Sequence, residues 1–244
     1  MKALLRLTLI VNLLALPAWA DEAKPAAWPM PPMEFFVEQL PAPPKPGDVA
    51  DQADLNYSLA LQADASSDEI RQATIVALYL NVFSYSEVLG PKFTGEVYPQ
   101  TRAFFKQLEV TANNTKNQLK DHYARLRPVD AHKGLVKELV PYETGYSYPS
   151  GHSTRAWLYA LILGELDPAD RLAFLRQAAQ VGTYRVLGGM HYESDVIVAR
   201  TLAQMLYAQL MAQPDFVKAL DALKAAEWVR SPVYPVPSPT PANR

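Results

Sequence analysis

The chain has 244 residues, of which 49% are apolar and 20% are charged, and its net charge is -2. This length is sufficient for one sizeable hydrophobic core, and the near-neutral charge argues against nucleic acid or an anionic membrane surface as a partner. Because the sequence contains no cysteine, disulfides, thiolate metal sites and a cysteine nucleophile are excluded.

The first twenty residues have the features of a secretory signal peptide. Lys2 and Arg6 form a short basic region, residues 7–16 are apolar, and the sequence AWA at 18–20 matches an A-x-A cleavage site. The apolar run is shorter than the ~20 residues that a membrane-spanning helix needs, and no later stretch is apolar enough to span a bilayer. We therefore expect cleavage after Ala20 and export to a bacterial periplasm.

Proline-rich segments flank the remainder of the chain. Because proline fixes φ and lacks a backbone donor, we predict that residues 21–48 form neither a helix nor a central strand. This lead-in is expected to lie extended over the core through Trp28, Phe35 and Phe36. Residues 231–244 are predicted to form a flexible tail resembling polyproline II.

The helical period dominates from residue 49 to residue 230, and no segment shows sustained period-two alternation of β-branched residues. Capping residues, glycines and prolines mark the predicted helix ends. The predicted helices cover residues 53–62, 66–90, 99–128, 153–166, 168–188, 194–213 and 214–229. The sequence therefore predicts a single all-α domain, a helical bundle of about seven or eight helices.

The first cluster of candidate residues lies in the sequence KDHYARLRP, residues 120–128. If the helix continues to its proline, Lys120 and Arg127 are two turns apart and lie on the same face. Two cations on one stripe are also common on a solvated helix face. Arg125 and His122 point away from that stripe and are interpreted as solvated.

The second cluster is YPSGH, residues 148–152. Pro149 and Gly151 favour a turn, Ser150 is suited to begin a helix, and the glycine allows a ligand to approach the backbone closely. The free N–H groups at a helix N-terminus suit a phosphate oxyanion. Taken alone, the same pattern is also a capping motif with an incidental His152.

The third cluster is RVLGGMHYESD, residues 185–195. His191 and Asp195 face the same side if they form the first turn of a helix, and a carboxylate on one imidazole nitrogen makes the other a better nucleophile or base. The glycine pair at 188–189 allows the chain to bring Arg185 back toward them. His191 and Asp195 could also be half of a metal site, although few other histidines remain and the nearby basic residues would repel a cation.

Together the three clusters supply cations, helix N-terminal amides and two histidines, one of which has a carboxylate partner. Arginine forks bind phosphoryl oxygens in a bidentate manner, and lysine adds a point charge. One histidine can attack phosphorus in line while the other protonates the leaving alkoxide. The combination fits phosphoryl transfer without a metal.

The order K-x6-R-P, P-S-G-H and R-x5-H-x3-D resembles the type 2 phosphatidic acid phosphatase superfamily. The signal peptide, the chain length and the sequences KDHYARLRP and SYPSGHSTRAW make the chain similar to bacterial class A non-specific acid phosphatases in particular. The resemblance covers roughly residues 51–224. It implies an all-α fold with the site where helix ends meet, no metal and no other cofactor, and a protein that is often oligomeric.

The resemblance also implies a role for each matching residue. A phosphate cradle would be formed by Lys120, Arg127, Ser150, Gly151 and Arg185. His191 would be the nucleophile that forms a phosphohistidine, with Asp195 orienting it. His152 would be the general acid and then the base that activates water. The substrate would be a small phosphomonoester and the product inorganic phosphate.

One position departs from the family pattern. Tyr184 stands where the family usually has a serine immediately before the arginine of the third motif. Because tyrosine is bulkier, we expect it to change the size of the pocket and the substrate preference. Residues 84–98 and 129–146 are expected to form the pocket walls.

Three other functions are compatible with the same cradle. Vanadate and phosphate are isosteric, so a vanadate-dependent haloperoxidase is one alternative. A phosphatase of lipid-linked or other diphosphates is the second. The third is a non-catalytic helical protein that binds phosphate without turnover.

Overall fold

The computed structural model describes residues 26–228, and within this range the protein is helical, with no strand. The predicted all-α class is confirmed. The α-helices are α1 (Met33–Val37), α2 (Val49–Ala63), α3 (Ser67–Tyr79), α4 (Ser86–Leu89), α5 (Pro99–Tyr123), α6 (Pro128–Ala131), α7 (Gly151–Leu166), α8 (Arg171–Leu187), α9 (Glu193–Met211) and α10 (Pro214–Glu227). Of the helices in this range, none combines the length and apolar character needed to cross a bilayer. The predicted signal peptide and C-terminal tail lie outside the described residues.

Helix α7 is the centre of the core. It is apolar around most of its circumference, as expected of a buried helix, and its residues from Ala156 to Leu163 are all buried. Helices α5, α8 and α9 pack around it. The side chain of Ser150 caps its first turn by accepting a hydrogen bond from the Ser153 N–H. This packing fixes the N-terminus of α7, which carries Gly151 and His152.

The N-terminal segment contains a helix that the proline content did not predict. The stretch MEFFV is free of proline and follows Pro32, so it can form the short helix α1. The three predicted aromatic anchors do pack on the core: Phe36 is fully buried, and Trp28 and Phe35 are partly buried against the same cluster. The segment is therefore part of the folded body, with one helical turn inside it.

The predicted helix over residues 66–90 is interrupted. It begins as expected, with a capping box between Ser66 and Glu69, but α3 ends at Tyr79. Asn81 then accepts a hydrogen bond from the Phe83 N–H and starts a short 3-10 helix. Local bonding of this kind by an asparagine side chain competes with the helical ladder, and only α4 follows before Gly90.

Helix α5 ends earlier than predicted. Ala124 adopts a left-handed conformation, with φ 48° and ψ 34°, and closes the helix after Tyr123. Lys120 therefore lies in the last turn of α5, whereas Arg127 lies beyond it and precedes α6. The prediction that these two cations share one helix face is wrong, although both reach the same cavity by different routes.

The loop between α6 and α7 is anchored to the end of α8. The buried Gln62 side chain donates to the carbonyl oxygens of Lys137 and Leu187 and accepts from the Lys137 N–H. Gly189 has φ +78°, and a side chain there would come within 2.4 Å of the Lys137 carbonyl oxygen. The glycine and the glutamine together hold the loop close to the third motif.

Candidate active site

A cavity of about 800 Å³ opens where α5 ends and α7 begins. Five of the predicted site residues line it, namely Lys120, Arg127, Gly151, His152 and His191. The other three predicted residues, Ser150, Arg185 and Asp195, are fully buried and are not among the lining residues. Residues 142–146 also line the cavity, as expected of the 129–146 segment, whereas no residue of the 84–98 segment does.

Arg185 is a fully buried cation with unused donors. Its Nη2 donates to the Glu143 carboxylate, but Nε and Nη1 have no hydrogen-bond partner among residues 26–228. Burial lowers its pKa to about 10, so the group stays charged at neutral pH. Buried donors are rarely left unpaired because each costs free energy, so this guanidinium is prepared to bind an anion.

Arg127 lies beside Arg185, and backbone carbonyl groups hold its guanidinium in place. Its Nη1 donates to the Met190 carbonyl oxygen at 2.9 Å and its Nε donates to the Gly145 carbonyl oxygen at 3.1 Å. The same Nη1 is 3.4 Å from Nε2 of His191. The arginine therefore places positive charge directly next to this imidazole nitrogen.

Lys120 adds the third predicted cation. Its ammonium group donates to the carbonyl oxygens of Tyr146 and Ser147. Burial, followed by the charge of Arg127, lowers its pKa to about 7. A bound anion would stabilise the charged form and raise this pKa again.

Glu143 is a functional residue that the sequence did not single out. Its carboxylate contacts Nη2 of Arg185, lies 3.4 Å from Nη2 of Arg127 and lies 3.6 Å from Nδ1 of His152. The carboxylate of Glu143 thus lies among three side chains that were predicted to surround the phosphate of a substrate. No sequence motif marks it, since its role depends on how the loop folds over the cradle.

One ring nitrogen of His152 faces the Glu143 carboxylate. Its Nε2 lies 3.2 Å from the Ala77 carbonyl oxygen, so Nε2 carries the hydrogen in the neutral tautomer that this contact favours. Its Nδ1 is then the nitrogen that faces Glu143. Burial, followed by the charge of Arg185, lowers the pKa of His152 well below its usual value, so the ring is neutral at neutral pH.

His191 and Asp195 are brought together, although they do not share the predicted helical turn, because α9 begins at Glu193 and His191 precedes it. The imidazole Nδ1 is 3.5 Å from Oδ2 of Asp195, which is close enough for an ion pair but too long for a hydrogen bond. The Tyr192 N–H donates to the same carboxylate oxygen at 2.9 Å. Burial, followed by the charge of Lys120, lowers the pKa of His191. The ring is therefore a neutral group with Nε2 facing Arg127.

Arg125 is an internal residue, and its interpretation as solvated is wrong. Its side chain is only 8% exposed, and its Nη1 donates to Oδ1 of Asp195 at 2.8 Å. Its Nη2 donates to Oδ2 of Asp54 at 2.8 Å. The left-handed Ala124 ends the helix and changes the direction of the chain just before Arg125. The residue therefore links α2 to the carboxylate that faces His191.

Ser150 occupies a supporting position. Its Oγ accepts hydrogen bonds from the Ser153 N–H at 3.4 Å and from the Ser153 hydroxyl at 3.0 Å. Its backbone N–H donates to the Asp195 carbonyl oxygen at 3.1 Å. The serine thus joins the start of α7 to the start of α9 and is not among the residues that line the cavity.

Tyr184 lies away from the cavity. Its ring packs against the small apolar cluster of Ala73, Val140, Leu187 and Met190. The expectation that it changes the size of the pocket is therefore wrong, because the side chain leaves α8 on a different face from Arg185. The departure from the family pattern leaves the cavity wall unchanged.

Comparison with known proteins shows which family the site-bearing part of the chain is similar to. Residues 108–217 match the family model of the PAP2 superfamily, and this stretch contains every predicted site residue. Over this stretch the chain is similar to the PAP2 superfamily. The chain is 28% identical to a non-specific acid phosphatase of Providencia stuartii over 193 residues, which are 76% of this chain and 77% of the relative. It is 30% identical to a non-specific acid phosphatase of Salmonella typhimurium over 140 residues, 56% of each chain.

A solved structure is also similar to this chain. It is a transmembrane PAP2-type phosphatidylglycerolphosphate phosphatase from Bacillus subtilis, with 20% sequence identity and a TM-score of 0.49, and the match covers 81% of this chain and 95% of that one. The family match and the acid phosphatase relatives confirm the resemblance found in the sequence. The protein is a phosphatase.

Proposed function

We propose that this phosphatase is an exported acid phosphatase that hydrolyses phosphomonoesters through a phosphohistidine and without a metal. The observation that carries the proposal is the fully buried guanidinium of Arg185, two of whose nitrogens have no partner within the described chain. Export rests on the signal features of residues 1–20, with the domain of residues 49–230 acting after cleavage. Independence from metal is supported by the basic lining, which would repel a cation.

The first step transfers the phosphoryl group to the enzyme. Arg127, Arg185, Lys120 and the N–H of Gly151 bind the phosphoryl oxygens, where negative charge develops in the transition state. Nε2 of His191 attacks phosphorus as the bond to the leaving oxygen breaks. His152 gives its proton to that oxygen.

The second step releases phosphate. Water attacks the phosphorus of the phosphohistidine, and the neutral His152 accepts a proton from it. The bond between phosphorus and Nε2 of His191 breaks, and inorganic phosphate is formed. The Asp195 carboxylate, 3.5 Å from Nδ1, favours the cationic imidazole present while phosphorus is attached.

The pH dependence follows from the two histidines. His191 must be neutral to attack, and its lowered pKa keeps it neutral down to acid pH. His152 must be protonated to donate, and its lowered pKa means that this form is lost as the pH rises through the acid range. Both limbs of the activity profile are therefore displaced toward acid pH.

We expect the purified protein to hydrolyse p-nitrophenyl phosphate with a bell-shaped profile of kcat/KM whose maximum lies below about pH 7. The rate should be the same with and without a chelator such as EDTA. Product is measured as p-nitrophenol after the reaction is stopped with alkali. Loss of turnover in the chelator would contradict the metal-free mechanism, and a rate that keeps rising through pH 8 would contradict the role of His152.

Glu143 adds a consequence for substrate binding. Its carboxylate uses donors of Arg127 and Arg185 that the phosphate requires, so the substrate must displace it. We expect Glu143→Gln to lower the inhibition constant for inorganic phosphate by about tenfold, because a competing charge is removed. The measurement is competitive inhibition of p-nitrophenyl phosphate hydrolysis.

The matched control is Glu138→Gln, which removes an exposed charge from the same loop. It should leave the inhibition constant for phosphate unchanged. If Glu143→Gln instead weakens phosphate binding, then the carboxylate holds the arginines in place and does not compete with the substrate.

A further inference from the structure

We propose that the active-site cavity contains a second anion subsite, centred on Lys116 and Arg155, for substrates that carry a second phosphate group. The inference rests on the proposed function, because it assumes that the scissile phosphate occupies the cradle of Arg127 and Arg185. Neither residue of this subsite is among the site residues predicted from the sequence. Both residues line the cavity.

Lys116 adds a further cation of α5 to the cavity lining. It lies on α5 one helical turn before Lys120, so both side chains reach the same cavity. The Lys120 ammonium donates to two carbonyl oxygens, whereas no hydrogen bond or ion pair links the Lys116 ammonium to the described part of the chain. Its side chain lies against Gly151, where an added Cβ would be 3.0 Å from the Lys116 Cδ.

Arg155 places a second cation beside the first. It lies on α7 one turn after Gly151, and its Nη1 donates to the Glu109 carboxylate. Its Nε is buried and without a partner among the described residues. Burial, followed by the charge of Arg155, lowers the pKa of Lys116 to about 8. Two neighbouring cations with unused donors are stabilised by an anion that binds to both.

The surroundings suit a phosphate group more than an apolar one. Asn113 and Asn117, on the same stretch of α5, also line this part of the cavity and offer amide donors. Asp121 is the one carboxylate that α5 contributes to the lining. The cavity volume of about 800 Å³ is typical of pockets that enclose a whole small molecule, so a substrate with two phosphates can fit.

The spacing selects a class of substrate. Side chains one helical turn apart have Cβ atoms about 5–6 Å apart, so a phosphate at Lys116 is separated from one at Lys120 by several bonds. The subsite therefore favours bisphosphates, in which a carbon skeleton carries the two groups, over diphosphates, in which they are joined directly. Recognition is electrostatic, since each phosphate ester carries a charge of about -1.5 to -2 at pH 7.

The test compares fructose 1,6-bisphosphate with fructose 6-phosphate as substrates, with phosphate release as the readout. The wild-type enzyme should have the higher kcat/KM for the bisphosphate. Lys116→Met should reduce that value by about tenfold or more while changing the value for the monophosphate by less than twofold. Lys116→Arg should restore the preference. The matched control is Lys106→Met, which removes an exposed charge from the same helix.

Equal losses for both substrates would overturn the inference, because Lys116 would then serve the scissile phosphate. Unchanged values for both substrates would overturn it as well. A preference for ADP over AMP that disappears in Lys116→Met, with none for the bisphosphate, would contradict the inferred separation of the two groups. Calorimetric binding of fructose 1,6-bisphosphate to the His191→Ala variant tests the subsite without turnover, so a failure of the proposed reaction is distinguished from a failure of the subsite.

Discussion

Replacing His191 with alanine is expected to lower kcat for p-nitrophenyl phosphate by at least about 10³-fold, because the atom that forms the bond to phosphorus is removed. The His191 side chain is 1% exposed, and its Nε2 is 3.4 Å from Nη1 of Arg127, which is among the predicted phosphate-binding groups. The measurement is steady-state hydrolysis at the pH optimum of the wild-type enzyme.

Two further measurements separate loss of the nucleophile from loss of the fold. His191→Ala keeps Arg127 and Arg185, so it should still bind inorganic phosphate in calorimetry. Acid-labile phosphate should be trapped on the wild-type enzyme by rapid alkaline quenching, and it should accumulate in His152→Ala. This follows because p-nitrophenolate leaves without much help from an acid, whereas the second step needs a base. Substantial turnover by His191→Ala would contradict the nucleophile assignment.

The parts of the fold that were predicted correctly are those governed by short-range chemistry. The apolar run after Ser150 predicts α7 because a capping serine and a continuous apolar segment act within a few residues. His191 and Asp195 also meet within one short segment, although His191 precedes α9. These features are determined by residues close together in the sequence, and periodicity and capping rules are based on such local sequence.

The parts that were missed depend on single backbone conformations. Nothing in the composition of residues 120–128 indicates that Ala124 adopts φ 48°, yet this residue decides that α5 ends and that Arg125 turns inward. Similarly, Glu143 reaches the arginines from a loop that Gln62 and Gly189 contact at Lys137. Such contacts form between residues distant in sequence, and a single chain carries no local pattern for them.

Replacing Arg125 with methionine is expected to reduce the free energy of unfolding by about 3–5 kcal/mol, since it leaves two buried carboxylates without their cationic partner. Asp195 and Asp54 are 0% and 5% exposed, and both accept hydrogen bonds from this guanidinium. The measurement is denaturation in guanidinium chloride. The control is Arg71→Met, which removes an ion pair to Asp68 with both side chains more than half exposed and should change stability by less than about 1 kcal/mol.

The same substitution is expected to reduce activity through Asp195. Burial raises the pKa of this carboxyl and the charge of Arg125 opposes that rise, so without the arginine Asp195 is more readily protonated and no longer favours the cationic form of His191. If Arg125 acts in this way, then the double variant Arg125→Met with Asp195→Asn should have the same kcat as Asp195→Asn alone. Additive losses would show that Arg125 contributes to the reaction independently of Asp195. Since kcat is compared among folded variants at a temperature below their unfolding transitions, the loss of stability by itself would leave this coupling unchanged.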